Sequence, residues 1–206
     1  MKMKHFINSH KAITGLVVLL MIAWFNQWNN ATAWVYLALH GSYGILWLIK
    51  SQLYPDKRWE QPATLPIGIG GWIALSLFWI APFIITSQSV QAPAPYLALC
   101  ISIYIFGTFL HYVADMQKHM MLKLNPGHLI TDGLWAITRN PNYLGELLTY
   151  TGFTLLAMHW LPLVILIVIV VGTWLPLIRS KEKSLARYPE FASYQKRVRM
   201  LIPFLF

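Results

Sequence analysis

Five polar side chains, Tyr104, Thr108, His111, Asp115 and Lys118, recur at steps of four, three, four and three in an otherwise apolar stretch. That spacing sets them on one face of a helix. At membrane depth a polar stripe is costly against lipid, so it belongs against a cavity or another helix. Two roles fit it. It can wall a ligand cleft with Lys118 and Lys123 directed at phosphate, or it can cap a span at the interface with Asp115 and Lys118 paired. A second group follows in Gly133-Leu134-Trp135-Ala136-Ile137-Thr138-Arg139-Asn140-Pro141-Asn142-Tyr143-Leu144-Gly145-Glu146. Pro141 suits a helix start with Asn140 as its N-cap. From there Tyr143, Glu146 and Tyr150 share a face. Glu146 is the acidic residue that falls clearly inside an expected span, which marks it for function or for pairing with Arg139 or Arg179. A helix N-terminus beside Arg139 is also suited to an anion. The third group is the basic, aromatic tail from Arg179 to Tyr194. It can lie on headgroups or close over an anionic cofactor.

The elements that position these residues are membrane helices. The 206 residues are 57% hydrophobic and 11% charged, with ten each of Trp, Tyr and Phe. Average soluble domains carry about 25% charge. One cysteine, Cys100, allows no internal disulfide. Six stretches approach the roughly 17–25 apolar residues of a spanning helix: about 12–28, 31–49, 64–86, 93–114, 143–158 and 161–178. The fifth is short, and the break at His159-Trp160-Leu161-Pro162 predicts a tight hairpin with the sixth. Runs such as Leu161 to Val168 lack the alternation of a β-barrel strand. The expected fold is therefore all-α, a polytopic bundle of about six transmembrane helices with a helical tail.

With the N-terminus in the cytoplasm, all 16 Lys and Arg fall in the terminal segments and the loops of one side. That segregation follows the positive-inside rule and places both termini and the basic tail in the cytoplasm. The net charge of +9 is then a face for anionic headgroups, and nucleic acid is not an expected partner. The basic start, apolar stretch and Ala31-Thr32-Ala33 resemble a signal peptide, but we read the segment as a retained first span. Asn30-Ala31-Thr32 is formally a glycosylation sequon, too close to the next span to serve as one.

We read residues 1–206 as a single membrane domain. Residues 1–114 supply four spans, and 115–206 supply a 28-residue polar connection, the hairpin and the tail. The chemistry is expected in 115–206, at the cytoplasmic boundary. The histidines are scattered and form no metal-ligand cluster. Gly68-Ile69-Gly70-Gly71 lies in the third span and reads as a close helix contact.

The stretch Gly133–Phe153 with its Asn-Tyr-Leu-Gly-Glu core resembles the C-terminal region of the steroid 5α-reductase family, in its small bacterial-type members grouped as a domain of unknown function. Ala114-Asp115-Met116-Gln117-Lys118, Arg187-Tyr188-Pro189 and Ile202-Pro203-Phe204 fit the same pattern, so the resemblance covers about residues 105–206. It implies an NADPH-dependent reductase of a carbonyl-conjugated double bond in a lipid or steroid-like, lipophilic small molecule. Carried over by motif, Asp115, Lys118, Arg139, Asn142, Tyr143, Glu146 and Arg179 would line the cofactor cleft, facing the cytoplasm. Glu146 and Tyr150 would stand closest to the chemistry. The acidic substrate residues of the steroid reductases' longer N-terminal half have no match here. The superfamily also holds isoprenylcysteine and phospholipid methyltransferases, which use S-adenosylmethionine. Their Arg-His-Pro and tail Glu-Glu are here Arg139-Asn140-Pro141 and a lone Glu182, a departure that favours the reductase. A non-enzymatic membrane protein is the third reading.

The charge segregation has a direct test. Cysteines introduced at Ser89 and Ser184 should label from opposite sides of the membrane. Labelling of both from the same side would overturn the six-span topology.

Overall fold

The computed structural model describes residues 1–203. Phe204, the last residue of the tail motif, lies outside the described residues. Among those described there is no β-strand, only one isolated bridge between Lys2 and Pro62. Five helices are long and apolar enough to cross a membrane: α1 (Met3–Trp24), α2 (Ala31–Leu53), α3 (Leu65–Ser87), α4 (Ala94–Leu124) and α6 (Trp160–Leu185). Between the last two lies α5 (Pro141–Leu155), the short fifth stretch. Its 15 residues reach about 22 Å at 1.5 Å per residue, less than the roughly 30 Å hydrocarbon core. A final helix, α7 (Phe191–Arg197), follows.

Several helices run further than the apolar stretches imply, α1 and α4 furthest. α1 starts at Met3 because its polar positions are accommodated by packing. Lys11 is buried, and its ammonium lies 4.3 Å from the Tyr43 ring centre and 5.6 Å from that of Trp47, where the ring faces attract a cation. α4 continues to Leu124, past the end of the apolar stretch, so the polar connection begins as helix. Asn30 is buried and caps α2, accepting from Ala33 N–H at 3.2 Å. That role accounts for the sequon.

The chain forms two compact units, residues 1–104 with 151–165, and 105–150 with 166–206. In the first, α1 and α2 touch backbone to backbone at Gly15, Gly41 and Gly44, where a Cβ on Gly44 would press on Lys11 O. In α3, Gly68 and Gly71 make room for Phe6 and Met3, while Gly70 faces open space. The expected glycine contact thus rests on two of its three glycines.

In the second unit α4 and α5 meet in the same manner. A Cβ on Gly145 would collide with the His111 backbone nitrogen, and one on Gly107 with Thr149 N and Gly145 O. This contact is what brings the polar face of α4 onto the start of α5. Gly145→Ala should therefore destabilise the fold by about 1–3 kcal/mol, the range for overpacking. Gly70→Ala should be neutral or slightly stabilising, since alanine is the better helix former. Thermal unfolding in detergent checks both, and equal melting of the two variants would contradict the assigned contact.

Candidate functional site

The site residues expected from sequence lie mostly in the second unit, and their geometry is set by one buried arginine. Arg139 is 6% exposed. Its Nε donates to both oxygens of Glu182 at 3.1 and 2.9 Å, and Nη2 lies 2.8 Å from Oε2. Its Nη1 donates to the carbonyls of Gln195 and Val198 at the end of α7, where a cation also meets the negative pole of the helix. The backbone N–H of Arg139 donates to Arg199 O at 2.9 Å.

The neighbours of Arg139 repeat this pattern. Thr138 Oγ1 donates to Leu201 O at 2.8 Å, and Asn140 Nδ2 donates to Met200 O at 2.8 Å. Tyr194 donates its hydroxyl to Trp135 O at 2.6 Å. Burial pushes the Tyr194 phenol well above its usual range, so it stays a donor. Phe191, Tyr194 and Val198 form a small core with Leu129, Leu185 and Tyr188. The Trp135 carbonyl and the side chains of residues 138–140 are thus fastened to the tail.

The sequence reading sends Arg139 to cofactor phosphate, with Glu146 as its alternative partner. The carboxylate it meets is Glu182, and its guanidinium is engaged inside the protein. Asn140 sits at the start of α5, where its carbonyl accepts from Leu144 N–H at 3.0 Å. Its side chain turns to the tail and to Lys181.

Lys181 is a residue that helical spacing does not single out. Its Nζ donates to Arg139 O at 2.9 Å and to Asn140 Oδ1, and stands 4.9 Å from the Trp135 ring centre. Asp115 and Lys118 lie within its electrostatic reach. Lys118 of α4 and Lys181 of α6 therefore lie near the N-terminus of α5, interspersed with the carboxylates of Asp115 and Glu182.

Further along α5, Tyr143 and Tyr150 both meet Trp174, with ring centres 6.2 and 5.8 Å apart. Glu146 lies between them in sequence and is half-buried. Trp174 ends a π-helical turn, Val170–Trp174, inside α6. Such turns insert a residue and are frequent at functional sites. The same α6 face continues through buried Ile178 to Lys181 and Glu182, so one face of α6 follows α5 from Tyr150 back to Asn140.

On α4, His111 Nδ1 is 3.0 Å from Asn142 O, and its Nε2 is 3.8 Å from Asp115 Oδ2. Asn142 Oδ1 is buried with no hydrogen-bond partner among the described residues. Lys118 is half-buried, whereas Lys123 and Arg179 are exposed. Tyr104, the first residue of the stripe, belongs to the other unit and hydrogen-bonds Ser42 at 2.9 Å. Asn142 thus meets His111 beside Asp115, and Tyr143 and Tyr150 meet Trp174, while Arg139 is taken by Glu182 and the tail and Arg179 is exposed. Trp174 and Glu182 join Lys181 as residues whose part only the fold reveals.

An Arg139→Lys substitution keeps the charge but loses the planar fork. We expect it to cost at least about 2 kcal/mol, toward the 3–5 kcal/mol of a broken buried pair, and to open residues 198–201 to proteolysis. Wild-type stability in this variant would show that the fork is dispensable.

A family model described as a protein of unknown function, DUF1295, matches residues 71–198. The match starts upstream of the stretch that carries the sequence motifs and takes in part of α3 and all of α4. No curated protein matches the chain. With more than half of its length matched, the chain belongs to the DUF1295 family.

Proposed function

We propose that the protein is an NADPH-dependent reductase of a carbonyl-conjugated double bond in a lipid or steroid-like molecule, with its cofactor site facing the cytoplasm. The observation that carries this reading is the layout of α5. Lys181 and the neighbouring Lys118 gather at its start, and Tyr143, Glu146 and Tyr150 follow on one face against Trp174. Residues 140 and 150 are separated by about 15 Å of helix. A cofactor with phosphates at one end and a reactive ring at the other suits that order. The fit is supported by Asn142 Oδ1, a buried acceptor without a donor among the described residues, which a ligand N–H or O–H would satisfy. The resemblance to steroid 5α-reductases supports the same assignment.

When bound, NADPH supplies a hydride. The chain's own residues divide the remaining tasks. Lys118 and Lys181 hold phosphate oxygens by charge-assisted bonds, and Asn142 and Tyr143 line the cofactor between that end and the Glu146–Tyr150 end. Tyr150 donates its phenolic proton toward the substrate carbonyl, and Glu146, one turn earlier, holds that phenol. A positioned acid of this kind is worth about 10²–10⁴ in rate. Arg139, expected from sequence at the phosphates, acts as the clamp that fixes the start of α5, and Asp115 braces His111.

A second reading keeps its place on one observation. Because Arg139 is held by Glu182, fewer cations remain for phosphate, which a methyltransferase using S-adenosylmethionine would tolerate. Side-by-side binding in detergent separates the two. We expect NADPH to bind and S-adenosylmethionine not to. Lys118→Ala should weaken NADPH about tenfold or more, given roughly 1.5–3 kcal/mol for a bond to a charged group. Glu146→Gln should lower turnover while leaving the fold intact. Binding of S-adenosylmethionine alone would replace the reductase with the methyltransferase, and binding of neither would leave the non-enzymatic reading.

A further inference from the structure

In the first unit, residues 59–63 pair with the start of α1. Met3 N–H donates to Gln61 O at 3.1 Å, Lys4 N–H to Trp59 O at 2.9 Å, and Ala63 N–H to Met1 O at 2.9 Å. Two of the amides that a helix start leaves without partners are thereby taken, so the helix end is not itself an anion site. The pairing instead fixes two ammonium groups side by side. Lys2 Nζ and Lys4 Nζ grip opposite oxygens of Glu60 at 2.7 and 2.6 Å. Those two bonds hold the Glu60 carboxyl below the usual carboxylate range. Two ammonium groups against one carboxylate leave a positive charge at a defined place, and the Lys2 side chain is still 51% exposed.

Both lysines line an open groove of about 450 Å³, together with Met1, His5 and Pro62. α1 and α3 both begin beside this groove, which places it where two spans enter the membrane, at headgroup level. Basic groups at that level attract anionic lipid. Here their positions are set in advance by the backbone pairing, which lowers the ordering cost of binding.

We propose that this groove binds the phosphate group of an anionic phospholipid, with Lys2 and Lys4 as its contacts and Met1 and Pro62 beside the glycerol end. Glu60 is then an internal competitor, yielding part of its hold on the two ammonium groups to the lipid phosphate.

Native mass spectrometry of the purified full chain in detergent, with phosphatidylglycerol, phosphatidylcholine or inorganic phosphate added, tests the assignment. Phosphatidylglycerol should be retained about tenfold better than phosphatidylcholine, as expected for charge-assisted contacts. The double substitution Lys2→Gln with Lys4→Gln should abolish that preference, and Lys2→Arg with Lys4→Arg should keep it. Glu60→Gln should tighten phosphatidylglycerol binding, because the competitor is gone. The proposal is overturned by equal retention of the two lipids, by an unchanged preference in the glutamine double variant, or by weaker binding in Glu60→Gln. Displacement of the lipid by millimolar inorganic phosphate would equally overturn it, making the groove a free-phosphate site.

Discussion

A guanidinium only 6% exposed must be compensated, because a buried ion without partners costs several kcal/mol. Here Glu182 supplies the opposite charge and the end of α7 supplies carbonyls. Both partners come late in the chain, whereas Arg139 precedes α5. Satisfying Arg139 therefore ties three segments into one: the approach to α5, the C-terminal half of α6, and the tail. Thr138 and Asn140 add tail bonds on either side. The start of α5 is thus over-determined, and a site built on α5 inherits that rigidity.

Two further contacts turn a fixed helix start into a defined surface. Gly107 and Gly145 let α4 approach α5 without intervening side chains, which lays His111 against Asn142 O. On the other flank, the π-helical turn in α6 sets the register so that Trp174 reaches Tyr143 and Tyr150 while Lys181 and Glu182 reach residues 139 and 140. A pure α-helix with one residue fewer would rotate one of these two groups away by about 100°. The proposed reductase chemistry depends on this register, since it needs cations at one end of α5 and the tyrosine–carboxylate face at the other.

Much of the fold was legible in the sequence, because apolar length is a local property. Six stretches correspond to the six helices α1 to α6, and Pro141 marks the start of α5. The boundaries were less legible. Lys11 counts against a span in any hydropathy window, and only the rings of Tyr43 and Trp47 show how it is accommodated. The face Tyr143–Glu146–Tyr150 followed from helical spacing. Its counterpart Trp174 did not, because a π-helical turn breaks the spacing rule. The partner of Arg139 was also hidden. Glu146 is near in sequence and Glu182 is 43 positions away, and long-range pairing leaves no periodic trace. Lys181 looked like one of many tail cations until its bonds to Arg139 O and Asn140 gave it a place.

The dependence of the site on the Arg139–Glu182 pair can be measured with a double-mutant cycle. Arg139→Gln, Glu182→Gln and the double variant would be compared by reversible unfolding in detergent. The account predicts strongly non-additive losses, with a coupling of about 2 kcal/mol or more, near the upper range for residues sharing one network. Single losses that add to the double loss within about 0.5 kcal/mol would show that the two residues act independently, and the clamp at the start of α5 would not exist.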